Sequence, residues 1–237
     1  MAELNKPQIL SVIIPSRNEA SRLPLLLADL RSWKSQLEIC ICDASSSDRT
    51  MLVSKLAGAH ITQVLESNRG LQLHHGYCSS TGEWLLFLHA DSRMPKNWEE
   101  AVQRRINESS SENIAWFFDF KIKDKDMWLT LLEVAVNIRS HFLKHPYGDQ
   151  GLLISRSLYE YIGGYKPYFI MEDLDIIERL IKEVNIKSIG IPLYVDGRRW
   201  RNVNFLVQAW RNAILRKRWR DGESSKYLSI KYYKNDS

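Results

Sequence analysis

The chain is poor in several features, and each shortage excludes a class of protein. No stretch approaches the roughly 18–20 uninterrupted apolar residues of a spanning helix, so no membrane-crossing segment is expected. Three cysteines, Cys40, Cys42 and Cys78, form an odd set without the paired spacing of a zinc site. Cys40 and Cys42 fall on one face of an extended segment, an ordinary place for small buried residues. The first residues, Met1-Ala-Glu-Leu-Asn-Lys-Pro7, lack the charged-then-apolar pattern of an export signal. A reducing, cytoplasmic setting is the simplest expectation. Internal repeats and low-complexity tracts are absent as well.

What is present reads as one large α/β domain. The 237 residues are 44% hydrophobic, enough for a sizeable core. Leu10 to Pro15 is a β-rich apolar run, followed by Ser16-Arg-Asn-Glu19. Leu37 to Cys42 is a second, ending in Asp43-Ala-Ser-Ser-Ser-Asp48. Between them Leu23, Leu26, Leu27 and Leu30 recur at helical spacing. Ser46 to Asp48 offer N-caps for a second helix through Leu52, Val53 and Leu56, ended by Gly58. A further strand follows at Trp84 to Leu88. Strands separated by helices are joined by right-handed crossovers and form a parallel sheet covered on both faces.

The segment Gly82-Glu-Trp-Leu-Leu-Phe-Leu-His-Ala-Asp-Ser92 carries the most chemistry. Its apolar run delivers His89 and Asp91 to the carboxyl end of a strand, where open α/β sheets place their ligands. Residues two apart in an extended chain share a side. A carboxylate and an imidazole there suit Mg²⁺ or Mn²⁺, the imidazole being tolerated by Mn²⁺. A capped turn is the plainer reading of the pair alone.

Five motifs, in order over about residues 10–180, resemble family 2 glycosyltransferases with the GT-A fold. They are Pro15-Ser-Arg-Asn18-Glu19, Asp43-Ala-Ser-Ser-Ser-Asp48, Arg69-Gly70 with Thr81-Gly82-Glu83-Trp84, His89-Ala90-Asp91 in place of the family's Asp-x-Asp, and Gly163-Gly164-Tyr165 followed by Glu172-Asp173. His-Ala-Asp together with Gly148-Asp149-Gln150 and Arg198-Arg199-Trp200 is similar to the small soluble branch labelled as radical-SAM- or selenodomain-associated transferases. The resemblance implies a Rossmann-like, mostly parallel central sheet flanked by helices. Residues 1–195 would form the GT-A domain, with a nucleotide-binding half to about residue 92 and an acceptor-binding half over 93–195. Residues 196–237 would be a basic helical extension.

The resemblance also implies an inverting transferase that moves a sugar from a nucleotide-diphosphate sugar to an acceptor hydroxyl with Mn²⁺ or Mg²⁺. Asp91 would be the main metal ligand and His89 an auxiliary ligand or phosphate hydrogen-bonder. Asp43 would accept hydrogen bonds from the nucleotide, although an Asp after a strand also forms turns. Asn18 and Glu19 would line the nucleotide pocket, unless Asn18 only caps the next helix. Arg69 is a phosphate contact or a surface residue. Asp173 matches the catalytic base, with Glu172 and Asp175 as competitors, and the same cluster would favour a helix N-terminus. Asp149 and Glu172 are assigned to the acceptor, a small molecule or lipid-linked group. Ser109 to Asp126 and His141 to Gln150 are expected to be its specificity loops. Two other classes compete. A sugar-phosphate nucleotidyltransferase should open on a Gly-rich loop, which Ser16–Glu19 is not. A non-catalytic nucleotide- or membrane-binding module would not need Asp91 or Glu172-Asp173.

Charge is unevenly spread. From Asp196 onward there are 11 Lys+Arg and 4 Asp+Glu, a net of +7, against −2 for the preceding residues. Val203, Leu206, Val207, Trp210 and Ile214 share a helical face, with Arg211, Arg216, Arg218 and Arg220 largely outside it. Such a helix docks on its own domain with a solvated basic side, or lies peripherally on an anionic membrane. No nucleic-acid module surrounds it, and no nucleic acid is expected. Arg216-Lys-Arg218-Trp219 is similar to the Gln-x-x-Arg-Trp motif of processive relatives, but Leu215 stands where that motif needs Gln, so processivity is not carried over.

Overall fold

The apolar runs form the centre of one sheet. The computed structural model describes residues 8–123, 127–196 and 205–233. In chain order the elements are β1 (Leu10–Ser16), α1 (Leu23–Leu30), β2 (Leu37–Asp43), α2 (Thr50–Leu56), β3 (His60–Gln63), α3 (Arg69–Cys78), β4 (Trp84–Phe87) and α4 (Trp98–Ile106). Then come β5 (Ile114–Ile122), α5 (Met127–Phe142), β6 (Leu152–Ser155), α6 (Arg156–Tyr161), α7 (Glu172–Glu183), β7 (Asn185–Val195), α8 (Phe205–Arg220) and α9 (Ser225–Tyr233).

The seven strands lie in the order β3-β2-β1-β4-β6-β5-β7. Only β6 runs antiparallel to its neighbours, so the sheet is mostly parallel. The chain steps from β1 outward to β2 and β3, then returns to place β4 on the other side of β1. That reversal opens a crevice at the carboxyl ends of β1 and β4, the usual ligand position in such sheets.

Every residue of β1 is buried because helices cover both faces. Alternation sends Val12 and Ile14 into a cluster with Leu23, Leu26 and Leu30 of α1 and Trp98 of α4. Ile13 goes to the opposite cluster, with Leu73 of α3, Tyr159 of α6 and Ile176 of α7. Cys40 and Cys42 are both buried free thiols, as the strand reading expected.

Three expectations need correction. β3 was not foreseen, since four residues of only partial burial carry no strong pattern. Residues 109–126 are not one loop: Ile114–Ile122 is a nine-residue strand whose Trp116, Phe117, Phe118 and Phe120 are buried. A continuous aromatic run of this kind is what a strand covered on both faces requires. Finally, β4 stops at Phe87, before the pair it was expected to carry.

The described part of the C-terminal extension packs on the body. Leu228 of α9 is fully buried, which contributes roughly 1.5–3 kcal/mol. The Phe169 N–H donates to Ser225 Oγ (3.3 Å) and Trp219 meets Tyr168 edge-on at 6.0 Å. Arg220 donates to Glu178 (2.6 Å) and Arg218 to Glu223. Arg220, expected to face solvent, therefore takes part in the docking and Arg218 pairs within the extension, while Val207 and Trp210 stay exposed. Val203 and the motif Arg198-Arg199-Trp200 lie outside the described residues, as does the Leu206 side chain. No helix among the described residues is long and apolar enough to cross a membrane.

Candidate active site

The ends of β1 and β2 are tied together before any ligand is considered. Asp43, buried at the last position of β2, accepts from Ser16 Oγ (2.9 Å), Ser46 N–H (2.8 Å) and Ser46 Oγ (2.5 Å). Gln72 of α3 donates to the carbonyls of both Ser16 (2.9 Å) and Cys42 (2.8 Å). Asn18 sits in the left-handed region (φ +55°), which Asn tolerates. Its N–H donates to Ser46 Oγ (2.8 Å) and its Oδ1 accepts from Ser47 N–H (2.9 Å). Asn18 therefore locks two loops together rather than capping α1, whose N-cap has no side-chain bond. Glu19 donates its N–H to Thr50 Oγ1 (2.7 Å) and pairs with Arg22 (2.9 Å). Burial raises the Glu19 carboxyl above its ordinary range; Arg22 opposes this, and Asp91 and Asp48 reinforce it.

Asp91 is thus within electrostatic reach of Glu19, but not for the reason the sequence offered. After β4 the chain leaves the extended state and turns, with Ser92 N–H donating to His89 C=O (3.1 Å). A rigid anchor follows. Arg93 donates twice to Asp29 of α1 (2.6 and 2.9 Å), and its backbone exchanges both hydrogen bonds with Tyr194 of β7 (2.8 and 3.0 Å). His89 and Asp91 leave this turn toward different neighbours, with the His89 ring directed at Gly148.

The second half of the site is made by the starts of α3 and α7. Asn68 caps α3 by accepting from Leu71 N–H (3.0 Å) and donates to Pro167 C=O (2.9 Å). Gly70 then packs against the 166–168 backbone so closely that a Cβ there would lie 2.0 Å from Lys166 O. This contact holds Arg69 3.6 Å from Glu172, at the first position of α7. Glu172 is almost wholly buried. Burial pushes its carboxyl up to about 7, against the pull of Arg69 and with a further push from Asp173.

Asp173 is the best-oriented carboxylate of the cluster. Its Oδ2 accepts from Gly148 N–H (2.9 Å) and its Oδ1 from Leu174 N–H (2.8 Å). His89, Tyr147, Gly148, Glu172 and Asp173 line one pocket, whose floor is Leu73, Phe87, Leu152 and Ile176. Gly148 fits because a Cβ there would stand 2.7 Å from His89 Nε2 and 3.5 Å from Asp173 Oδ2. Asp175 is engaged elsewhere: it pairs with Arg179 Nη2 (2.5 Å), which also donates to Gly164 C=O (2.7 Å), while Nη1 donates to Ile162 C=O (2.5 Å). The Gly163-Gly164-Tyr165 motif thereby sets the position of α7.

Tyr147 and Arg139 carry no sequence signal. Tyr147 lies under the Arg139 guanidinium (3.6 Å) and 5.7 Å from that of Arg216, so α5 and α8 meet on one ring beside the pocket. Gln150, fully buried, donates to Phe118 C=O (3.2 Å) and accepts from Ser140 Oγ (2.6 Å), which fixes the turn that presents Gly148. Asp149 lies in that turn, within electrostatic range of Arg139. The sequence residues thus fall in two groups: Asn18, Glu19 and Asp43 at one end, and Arg69, His89, Asp149, Glu172 and Asp173 at the other. Asp91 bridges them. No group of three or more His, Cys, Asp or Glu that could hold a metal ion exists among the described residues. A single carboxylate such as Asp91 suits only a cation that takes most of its ligands from other sources, as Mg²⁺ commonly does from phosphate and water.

Comparison with known proteins agrees with this architecture. The model of the family described as "Glycosyl transferase family 2" matches residues 11–171. A 4,4'-diaponeurosporenoate glycosyltransferase of Staphylococcus haemolyticus is 33% identical over 106 residues, 42% of this chain and 28% of that protein. A probable glycosyltransferase of Sulfolobus acidocaldarius is 27% identical over 213 residues, 79% of this chain and 46% of that one. This chain therefore spans less than half the length of these two relatives. Among solved structures, a mannosyltransferase from Pyrobaculum calidifontis in complex with GDP-Man and Mn²⁺ superposes with a TM-score of 0.66 at 17% identity, over 97% of this chain and 70% of that one. At that identity the likeness shows the fold.

Proposed function

The chain belongs to glycosyl transferase family 2, and we propose that it transfers a sugar from a nucleotide-diphosphate sugar to an acceptor hydroxyl with inversion of configuration. The observation that carries this reading is the Asp173 carboxylate, held by the Gly148 and Leu174 N–H groups beside His89 in the pocket at the switch point. A hydroxyl is a weak nucleophile, and a positioned carboxylate takes its proton as it attacks. The acceptor oxygen bonds to the anomeric carbon, the bond from that carbon to the diphosphate breaks, and the proton passes to Asp173. Attack opposite the leaving group inverts the centre. Two backbone N–H bonds fix the carboxylate's orientation, which is what such proton transfer needs.

The donor end is Asn18, Glu19 and Asp43. Asp91, with His89 as an auxiliary, would hold Mn²⁺ or Mg²⁺, which supplies charge neutralisation to the leaving diphosphate. GDP-Man and Mn²⁺ in the Pyrobaculum structure support that donor class. Arg69, at the start of α3 and tied to Glu172, is assigned to the donor's phosphates through its guanidinium. Asp149 and Glu172 are assigned to the acceptor side.

Incubation with UDP- and GDP-sugars and Mn²⁺ tests the reading. Slow release of nucleoside diphosphate is expected, because water replaces the missing acceptor. Release of pyrophosphate from a nucleoside triphosphate and a sugar phosphate would instead mark a nucleotidyltransferase. Binding without any product would mark a non-catalytic module.

A further inference from the structure

We propose that α5 is a docking surface for an anionic lipid bilayer, with the pocket opening beside it. One face of α5 packs inward, with Leu129, Leu132 and Val136 against Phe120, Ile122 and Val195. The opposite face is also apolar. Trp128, Leu131, Val134, Ile138 and Phe142 are between 51% and 79% exposed. A helix that is apolar all round is normally covered on all sides, and a contiguous exposed patch marks an interaction surface.

Charge identifies the occupant. Between Met127 and Lys144 the sole acidic residue is Glu133, which is buried and bound to Lys121 Nζ (2.7 Å) and Ile122 N–H (2.7 Å). The exposed face therefore offers a bilayer no repelling carboxylate. At its ends Lys121, Lys123 and Lys144 are exposed, and over residues 121–144 the sequence carries five Lys+Arg against three Asp+Glu, Asp124 and Asp126 being the two besides Glu133. The basic helix α8 meets α5 at Tyr147, and α8 too leaves Val207 and Trp210 exposed. Exposed tryptophans beside cations suit the headgroup level of a membrane. A second copy of the chain would set these same basic surfaces against each other, a costly pairing. The 16 residues of α5 extend about 24 Å and lie along the surface rather than across it. From its C-terminus the chain runs through Tyr147 to Gly148, the residue that holds Asp173. Docking thus brings the acceptor side of the pocket to the lipid surface.

Co-sedimentation of the full chain with vesicles of equal phosphatidylcholine and phosphatidylglycerol tests this. Binding is expected, and it should weaken at least tenfold in pure phosphatidylcholine or at high salt. The triple variant Leu131→Ser, Ile138→Ser, Phe142→Ser should lose at least tenfold in vesicle affinity. Its melting temperature and nucleoside-diphosphate affinity should stay unchanged. Val134→Glu probes the same face with a single change. Leu65→Ser, on a loop away from α5, should bind like wild type. Failure of the wild type to bind, or full binding by the α5 variants, overturns the proposal. So does a wild-type dimer that the triple variant dissolves, since a second copy then covers the face. Nucleotide affinity reads the donor site separately, so neither result depends on the other.

Discussion

Replacing Gly148 by alanine adds one methyl group at the point where His89 and Asp173 converge. A Cβ there would lie 2.7 Å from His89 Nε2, against ordinary contacts that begin at 3.4 Å, so the ring must retreat by about 0.7 Å. Asp173 Oδ2, at 3.5 Å from the same Cβ, need not move, and the residue 148 N–H can still donate to it. The ring, unlike backbone, can shift by that much, so stability should fall by about 1 kcal/mol, the low end of the cost of an added methyl group in a packed site. In a chain of this size that lowers the melting temperature by roughly 2–4 °C. Catalysis should suffer far more, because a misplacement of about 1 Å can cost on the order of 10²-fold in rate. Turnover of a nucleotide sugar, read as nucleoside-diphosphate release, should fall about 10²-fold. Metal-free nucleotide affinity should be unaltered, since Asn18, Glu19 and Asp43 lie at the ends of β1 and β2 and not in the turn that carries Gly148. A variant with wild-type turnover would show that the convergence at Gly148 has no part in the chemistry. One that unfolds would show that the turn is structural first.

Other perturbations separate the carboxylates. Asp173→Asn keeps the shape but cannot accept a proton at neutral pH, and turnover should fall about 10²–10⁴-fold with nucleotide affinity near wild type. Asp175→Asn, which breaks the Arg179 pair, should lower thermal stability more than turnover. If it abolishes turnover while Asp173→Asn stays active, the base has been misassigned. Glu172 gives a pH signature. Its carboxyl is raised from 4.5 to about 7 in the fold, so the folded state binds more protons than the unfolded state between those values. Stability must then fall as pH rises through that window. Denaturation at several pH values should show wild type losing on the order of 2–3 kcal/mol relative to Glu172→Gln between pH 4.5 and 7. A constant gap would mean Glu172 is ionised throughout.

The fold was legible wherever burial imposed a simple pattern. β1 and β2 are uninterrupted apolar runs, α1 shows its four leucines, and Gly58 ends α2 with φ +73°. β5 was misread as part of a loop because its first half, residues 114–118, is a doubly covered apolar run without alternation, and Asp119 and Lys121 then interrupt it. α5 left no helical period for a related reason: both its faces are apolar. The carboxylates of the site were visible because Glu172 and Asp173 stand at a helix start after Gly163-Gly164. The pairing of His89 with Asp91 was expected from strand alternation, yet β4 ends at Phe87 and the two are presented by a turn instead. Tyr147, Arg139 and Arg216 could not be found, since only tertiary packing brings their three segments to one ring. Gly148 was visible as turn chemistry, but its contact with Asp173 spans 25 residues.

The donor reading depends on a metal held at the His89–Asp91 turn. Calorimetric titration of UDP and GDP into the wild type and Asp91→Ala, each with and without Mn²⁺, tests it most directly. The wild type should bind one of the two nucleotides more tightly when Mn²⁺ is present. Asp91→Ala should melt like the wild type and bind that nucleotide with an affinity that Mn²⁺ no longer changes. Equal Mn²⁺ dependence in both proteins, or binding of neither nucleotide by the wild type, would contradict the account.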